Sequence, residues 1–320
     1  MRNKILITGG FGYLGGRIAL HLARESGFNI ILASRKVKSP PVWLPEAETI
    51  SFDLIDSDSM INKMNEVEVV IHLAAMNENE CMINPTMASL VNSFGTQNLI
   101  KQSICAGVKK FIYFSTAHVY GTPLTGHITE KTKPNPIHPY AISHFDAEKY
   151  VLTANKQKKI NGIVIRLSNG FGVPAHAEVD RWSLLVNDLC RQLVENNKIV
   201  LRTSGIQKRD FITIEDISRA VSHLIKLPST DCIDGLFNLG SQTRTYSILE
   251  LVHKVANSCK KILNFYPEII KPEPQKNDIC NDFIFDSTKL KHTGFSCIGN
   301  LESEIENTLL MATKYFKCNE

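Results

Sequence analysis

The stretch "PYAISH" (139–144) places Tyr140 and His144 four residues apart. On a helix that spacing stacks two side chains on one face, about one turn from each other, and Pro139 is of a type favoured at the first helical position. A phenol and an imidazole arranged this way suggest a proton-transfer pair. A second constellation lies near the N-terminus, where "TGGFGYLGG" (8–16) spaces Gly9, Gly12 and Gly15 as G-x-x-G-x-x-G. Glycines so placed permit a tight turn, let backbone approach a pyrophosphate and let helix pack closely on strand. The N–H groups opening the helix then meet the anion, so a dinucleotide is the expected ligand. A third signal is "ASRK" (33–36), where NAD-binding folds place a carboxylate for the ribose hydroxyls. This chain offers Ser34, Arg35 and Lys36 instead. A hydroxyl and two cations suit a 2′-phosphate, so NADP(H) is expected in preference to NAD(H).

These groups need a scaffold, and the first half of the chain alternates short β-branched runs with helical stretches. Strands are expected at 4–8, 29–33, 49–53, 67–75, 110–116 and 162–168, and helices at 12–26, 89–107 and 140–157. Such alternation predicts an α/β fold, a doubly wound parallel Rossmann sheet covered on both faces. After residue 168 the pattern loosens. Residues 208–227 return to strand then helix, and helices are expected at 183–196, 247–259 and about 301–317. The expected division is a dinucleotide-binding domain over 1–168 with 208–235 returning to it. A smaller α/β substrate lobe takes 169–207 and 236–320, placed over the carboxyl edge of the sheet.

Composition narrows the partners. The chain has 320 residues, 43% hydrophobic and 21% charged, with a net charge of +4. No Lys/Arg block is interleaved with aromatics, so nucleic acid is not an expected partner; "KQKK" (156–159) reads as the solvated end of a helix. No signal-peptide pattern and no run of 18 apolar residues occurs, so no membrane span is expected and the location is read as cytoplasmic. The eight cysteines are scattered without metal-ligand spacing and read as free thiols, with no metal expected.

With these residues assembled, the chain resembles the extended short-chain dehydrogenase/reductase family, the NAD-dependent epimerase/dehydratase group of nucleotide-sugar enzymes. "TGGFGYLG" looks like its glycine loop, "FDLID" (52–56) its adenine-side segment and "HLAA" (72–75) the strand under the nicotinamide. "NSFGTQNL" (92–99), "STAHVYG" (115–121), "RLSNGFG" (166–172) and "RDFITIEDISRA" (209–220) also resemble its motifs, and "PYAISH" matches P-Y-x-x-S-K except at the last position. The resemblance implies a cofactor site built from Gly9, Gly12, Tyr13, Leu14, Gly15, Asp53, Leu54, Leu73, Ala74, Ala75, Asn92 and Ser115, with Tyr140 and His144. It implies Tyr140 as general acid/base, Thr116 polarising the same substrate oxygen, and Asn169 and Arg209 on a nucleotide diphosphate. It also implies a homodimer through the helices matching 89–106 and 140–157, with Leu90, Phe94, Leu99 and Ile100 compatible with either interface or core.

His144 stands where the family carries a lysine. Neutral imidazole can give one N–H to a ribose hydroxyl but supplies no dependable charge. Three readings stay open: a working enzyme with His144 as ribose anchor, an impaired enzyme that retains ligand binding, and a different proton arrangement using His118 or Cys81. Family dehydratases carry Asp-Glu where this chain has Ala117-His118, so dehydration is disfavoured. The expected reaction is reduction of a nucleotide-linked 4-keto sugar; the alternatives are a nucleotide-sugar 4-epimerase or a catalytically impaired cofactor-binding protein. The family's second phosphate arginine is replaced in "QKND" (275–278) by Gln275, with Lys271 or Lys276 as possible substitutes. "NENECMIN" (77–84) and "GVPAHAEVDRW" (172–182) are expected to line the sugar pocket.

Overall fold

Ile5, Leu6 and Ile7 follow one another in sequence and all are fully buried, so the first strand is covered on both faces, as its unbroken apolar run requires. The structure, a computed structural model, describes residues 3–232, 234–241, 243–275 and 282–317. In chain order the first part comprises β1 (Asn3–Thr8), α1 (Tyr13–Ala23), β2 (Phe28–Ser34), β3 (Glu48–Ser51), β4 (Val67–His72), α2 (Glu78–Ile83) and α3 (Pro85–Ala88). There follow a π-helical turn (Ser89–Phe94), α4 (Gly95–Cys105), β5 (Lys110–Thr116), β6 (Gly126–Ile128), α5 (Pro139–Lys156) and β7 (Asn161–Leu167). The remainder is β8 (Asn169–Phe171), α6 (Leu185–Asn196), β9 (Lys198–Val200), β10 (Lys208–Thr213), α7 (Ile214–Lys226), β11 (Leu236–Leu239) and β12 (Thr245–Ser247). The chain closes with α8 (Ile248–Leu263), β13 (Glu268–Ile270), β14 (Phe283–Phe285), α9 (Thr288–His292) and α10 (Leu301–Lys317).

Seven parallel strands form the main sheet in the order β11-β7-β5-β4-β1-β2-β3. Alternate residues feed two cores. Ile5, Ile7, Ile112, Phe114 and Ile165 pack with Ile18, Leu22, Ile217 and Val221 of α1 and α7. Leu6, Val70, Phe111, Tyr113 and Val164 pack with Leu99, Ile100, Ala147 and Val151 of α4 and α5. The period of two in each strand thus meets the 3.6 period of the covering helices. Strand order reverses between β1 and β4, the point at which doubly wound sheets open a crevice at the carboxyl ends of their strands. Lys110, buried in β5, donates at 2.7 Å to each of the carbonyls of Leu224, Ile225 and Leu227, closing the C-terminus of α7 with a cation where the helix leaves orphan acceptors.

The smaller lobe has its own core, in which Phe171, Trp182, Leu189, Phe211, Leu251 and Ile305 join α6, α8 and α10. A three-stranded sheet β12-β10-β8 links it to the main body. Asp216, fully buried at the start of α7, accepts from the amides of Ile298 and Gly299, each at 2.9 Å, and fastens the segment leading to α10.

Three expectations differ in detail. β4 ends at His72, so Leu73, Ala74 and Ala75 form a loop and not a strand; their backbone turns toward the glycine loop. The helix expected from 89 begins at Pro85, four residues earlier, because Asn84 caps it by accepting from the Met87 amide, and it carries the π turn. β11 is the edge strand of the main sheet, so residues 236–239 leave the substrate lobe to which the sequence assigned them, while β10 pairs outside the main sheet. The apolar run "LFNL" carries no hint of which sheet it joins.

Candidate active site

The glycine loop closes one side of the crevice. Gly9 has φ +69°, and a Cβ there would lie 2.9 Å from the Ala74 nitrogen; a Cβ on Gly15 would lie 2.2 Å from the Gly9 carbonyl oxygen. Backbone leaves no room for a side chain at either place. α1 begins at Gly12 without a side-chain cap, so its first-turn amides face the crevice as an anion cradle. Thr8 secures the opposite lip, its hydroxyl accepting from the amides of Leu73 at 3.2 Å and Ala74 at 3.3 Å. This backbone-lined hollow fits the pyrophosphate of a dinucleotide. Tyr13 contributes backbone only, because its hydroxyl donates to the Gly172 carbonyl at 2.6 Å, and Leu14 packs against the core.

The residues expected on the adenosine side lie in loops. Asn98 of α4 donates to the carbonyls of Leu54 at 3.0 Å and Ile55 at 3.2 Å. Leu54 rests on Gly95, where a Cβ would meet it at 2.8 Å. The Asp53 carboxylate accepts from the Ile55 amide at 3.0 Å, which fixes the turn. At the end of β2 the Ser34 hydroxyl donates to the Lys36 carbonyl at 2.5 Å, and Arg35 and Lys36 are exposed.

Thr116, Tyr140 and His144 come together at the other side of the crevice. Thr116 closes β5; its hydroxyl oxygen accepts from the His118 amide at 3.2 Å, and its side chain favours the ionised form of Tyr140. Tyr140 opens α5, where Pro139 occupies the first turn and His138 Nδ1 accepts from the Tyr140 amide at 3.1 Å. Burial raises the Tyr140 pKa above the ordinary phenol value. The charge of Glu78 adds to the rise, while Arg181 and the Thr116 hydrogen bond oppose it. One turn on, the His144 ring lies 4.4 Å from the Tyr140 ring, centroid to centroid. His144 is 4% exposed, and burial lowers its pKa to about 4, so it is neutral at pH 7. Nδ1 is 2.7 Å from the Tyr113 hydroxyl, and Nε2 is buried with no hydrogen-bond partner among the described residues.

The stripe continues to Glu148, two turns beyond Tyr140. Its carboxylate, 1% exposed, accepts from Ser115 Oγ at 2.5 Å, from Arg166 Nε at 2.9 Å and from Arg166 Nη2 at 2.6 Å. Arg166, itself buried, stands 4.7 Å over the Tyr120 ring. Ser115 therefore commits its hydroxyl to this ion pair. Asn92 is likewise committed inside. It accepts from the Met76 amide at 2.7 Å and donates to Ser143 Oγ at 3.1 Å, tying the loop after β4 to α5. Position in the π turn aims its side chain there.

Asn169 and Arg209 lie on neighbouring strands of the small sheet, and the Asn169 amide donates to the Asp210 carbonyl at 2.9 Å. The carboxylates that could neutralise Arg209 are occupied. Asp210 accepts from Ser168 at 2.5 Å and Ser241 at 2.6 Å, and Asp216 pairs with Arg219 and Arg244. Among the described residues the hydrogen-bond partner of Arg209 is Gln207 Oε1 at 3.5 Å, and burial lowers its pKa. Burial lowers the His118 pKa, with the Glu78 charge opposing the shift and the Arg209 charge adding to it. Cys81 is fully buried and its thiol is pushed up by burial, which makes it a poor proton carrier. Gln275 is exposed, and Lys276 lies outside the described residues. Sequence reasoning missed Tyr113, Glu148 and Arg166. Glu148 had a signal, the same four-residue step that links Tyr140 to His144; the other two are partners supplied by β5 and β7.

Two buried neutral histidines make stability depend on pH. Burial holds His72 at about 3 and His144 at about 4, both below the ordinary 6.5. The unfolded chain binds these protons first as pH falls. The stabilisation is complete above about pH 6.5 and is lost progressively toward pH 4, at about 1.4 kcal/mol per pH unit for each histidine. Calorimetric Tm should fall between pH 7 and pH 5, with a shallower fall in His144→Gln; equal slopes in the two proteins would refute the assignment.

Residues 5–240 match the family described as the NAD dependent epimerase/dehydratase family. The UDP-glucose 4-epimerase of Lactobacillus helveticus is 26% identical over 307 residues, covering 90% of this chain and 90% of that protein. The dTDP-D-glucose 4,6-dehydratase of Mus musculus is 27% identical over 228 residues, covering 68% of this chain and 63% of that protein. Among solved structures, the UDP-glucose 4-epimerase of Thermotoga maritima with UDP-glucose aligns with a TM-score of 0.81 at 25% identity over 99% of each chain. The matched span takes in the glycine cradle, the Thr116–Tyr140–His144 group and Arg209, and the chain is a member of the NAD dependent epimerase/dehydratase family, an enzyme of the extended short-chain dehydrogenase/reductase type.

Proposed function

We propose that the protein reduces a nucleotide-linked 4-keto sugar, with NADPH as the hydride source and Tyr140 as the proton donor. The observation that carries this reading is the Tyr140 phenol at the start of α5, its ring 4.4 Å from that of the buried His144 one turn on, where the family carries a lysine. Reducing a ketone needs an acid at the carbonyl oxygen, whereas oxidising an alcohol needs a base. NADPH, when bound, would supply the hydride for the carbonyl carbon. Thr116 hydrogen-bonds the carbonyl oxygen as negative charge grows on it, and Tyr140 delivers the proton that completes the alcohol. His144 would give an N–H to the cofactor ribose. Arg209 and Asn169 face the diphosphate, and Glu78 and Arg181 border the sugar. The preference for the 2′-phosphate rests on Arg35 and Lys36, exposed at the end of β2. Ala117-His118 offers no carboxylate for elimination of water, which disfavours dehydration. A 4-epimerase is the second reading, favoured by the relatives that carry that name.

The test is direct. The chain is mixed with NADPH or NADH and UDP-, dTDP- or GDP-linked 4-keto sugars, and loss of reduced cofactor is followed by absorbance. Consumption of NADPH in preference to NADH supports the reading. Interconversion of nucleotide-sugar 4-epimers with no net cofactor consumption would replace it with the epimerase.

We also propose a homodimer. Ile83, Met87, Leu90 and Phe94 recur at helical spacing and are all exposed, as is Ile142 on α5. Leu99 and Ile100 belong to the core instead. The double variant Leu90→Glu with Phe94→Glu should sediment as a monomer with an unchanged circular dichroism spectrum, and a wild-type protein that sediments as a monomer would end this proposal.

A further inference from the structure

Tyr113 lies three residues before Thr116 on β5 and points into the core shared with α4 and α5. It is 2% exposed. Its ring is stacked on that of His144 at 5.8 Å, 24° from parallel, and the two polar atoms meet at 2.7 Å. A phenol has one proton to give. Among the described residues the hydrogen-bond partner of the Tyr113 hydroxyl is His144 Nδ1. Were Nδ1 to carry a hydrogen, that N–H and the phenol O–H would compete across one short contact, and the phenol proton would lack an acceptor in a buried site. Buried donors without acceptors are rare and costly. Donation therefore runs from Tyr113 to Nδ1, and the imidazole hydrogen sits on Nε2. Among the described residues Nε2 is the atom left buried and unpartnered. The backbone carbonyl of Phe114 also favours a proton on the ring, and the Tyr113 contact decides which nitrogen carries it.

We propose that Tyr113 is a positioning residue that holds His144 as a neutral Nε2–H donor for a hydroxyl of the cofactor ribose. A tyrosine–histidine pair then performs the anchoring without placing a fixed charge beneath Tyr140. This inference rests on the reading that the crevice binds a dinucleotide. It accounts for three facts together: the short Tyr113 contact, the orphan Nε2 and the shared face of Tyr140 and His144.

The full chain labelled with ¹⁵N-histidine gives the answer by long-range ¹H–¹⁵N correlation, with His144 assigned by its loss in His144→Gln. Wild type should show the Nε2–H tautomer at pH 7. Tyr113→Phe should shift His144 toward the Nδ1–H form and raise the Kd for NADPH about tenfold, an effect of the size expected for one misdirected buried hydrogen bond. An Nδ1–H or imidazolium form in wild type overturns the proposal. So does a Tyr113→Phe protein in which tautomer and Kd do not change together. A wild type that shows the Nε2–H tautomer yet binds neither NADPH nor NADH defeats the cofactor reading and leaves the tautomer assignment standing.

Discussion

Replacing Tyr140 with phenylalanine should lower kcat by about 10²–10⁴-fold while leaving the Kd for NADPH within about twofold. The ring's packing against His144, at 4.4 Å between centroids, survives the change, so the helix start and the His144 environment are preserved. What is lost is the O–H that would meet the substrate oxygen. Thr116→Val should produce a smaller loss of the same kind, because polarisation of the oxygen fails while the proton donor remains. Wild-type activity should decline only at high alkaline pH, since burial and the Glu78 charge both raise the Tyr140 pKa. Steady-state kinetics with separate cofactor titration decides the matter. A Tyr140→Phe enzyme with ordinary kcat would remove the phenol from the mechanism.

Arg166→Met should destabilise the fold by about 3–5 kcal/mol, the range seen when one member of a buried ion pair is removed. Arg166 and Glu148 are 3% and 1% exposed, and the carboxylate left behind would keep only Ser115 as a side-chain partner. Glu148→Leu should cost a similar amount, leaving the guanidinium over Tyr120. The double variant should recover most of the loss, because two apolar side chains of similar volume carry no desolvation penalty. Urea melts of the four proteins give the coupling energy. Single variants that each cost under about 1 kcal/mol would show that the pair is not what joins α5 to β5 and β7.

Much of the site was legible because its signals are local. The glycine loop follows a strand and opens a helix, and both neighbours are nearby in sequence. Tyr140 and His144 share a helix face by spacing alone. The cations at 35 and 36 follow directly from the end of a strand. The helix boundary at Pro85 and the end of β4 at His72 were harder. A capping asparagine and the hydrogen bonds that Thr8 accepts from the Leu73 and Ala74 amides decided them, and only the second of these involves a distant residue.

The order of types along the chain was enough to settle a parallel α/β sheet, a dinucleotide cradle and a tyrosine–histidine pair, since each depends on backbone periodicity and on neighbours within a turn. Folding decided the rest. It turned Ser115 and Asn92 inward, removed Asp210 and Asp216 from Arg209, brought β11 into the main sheet and set Tyr113 against His144. Those outcomes depend on which groups compete for one buried partner across separate strands and helices, and that competition exists only once the chain has closed on itself.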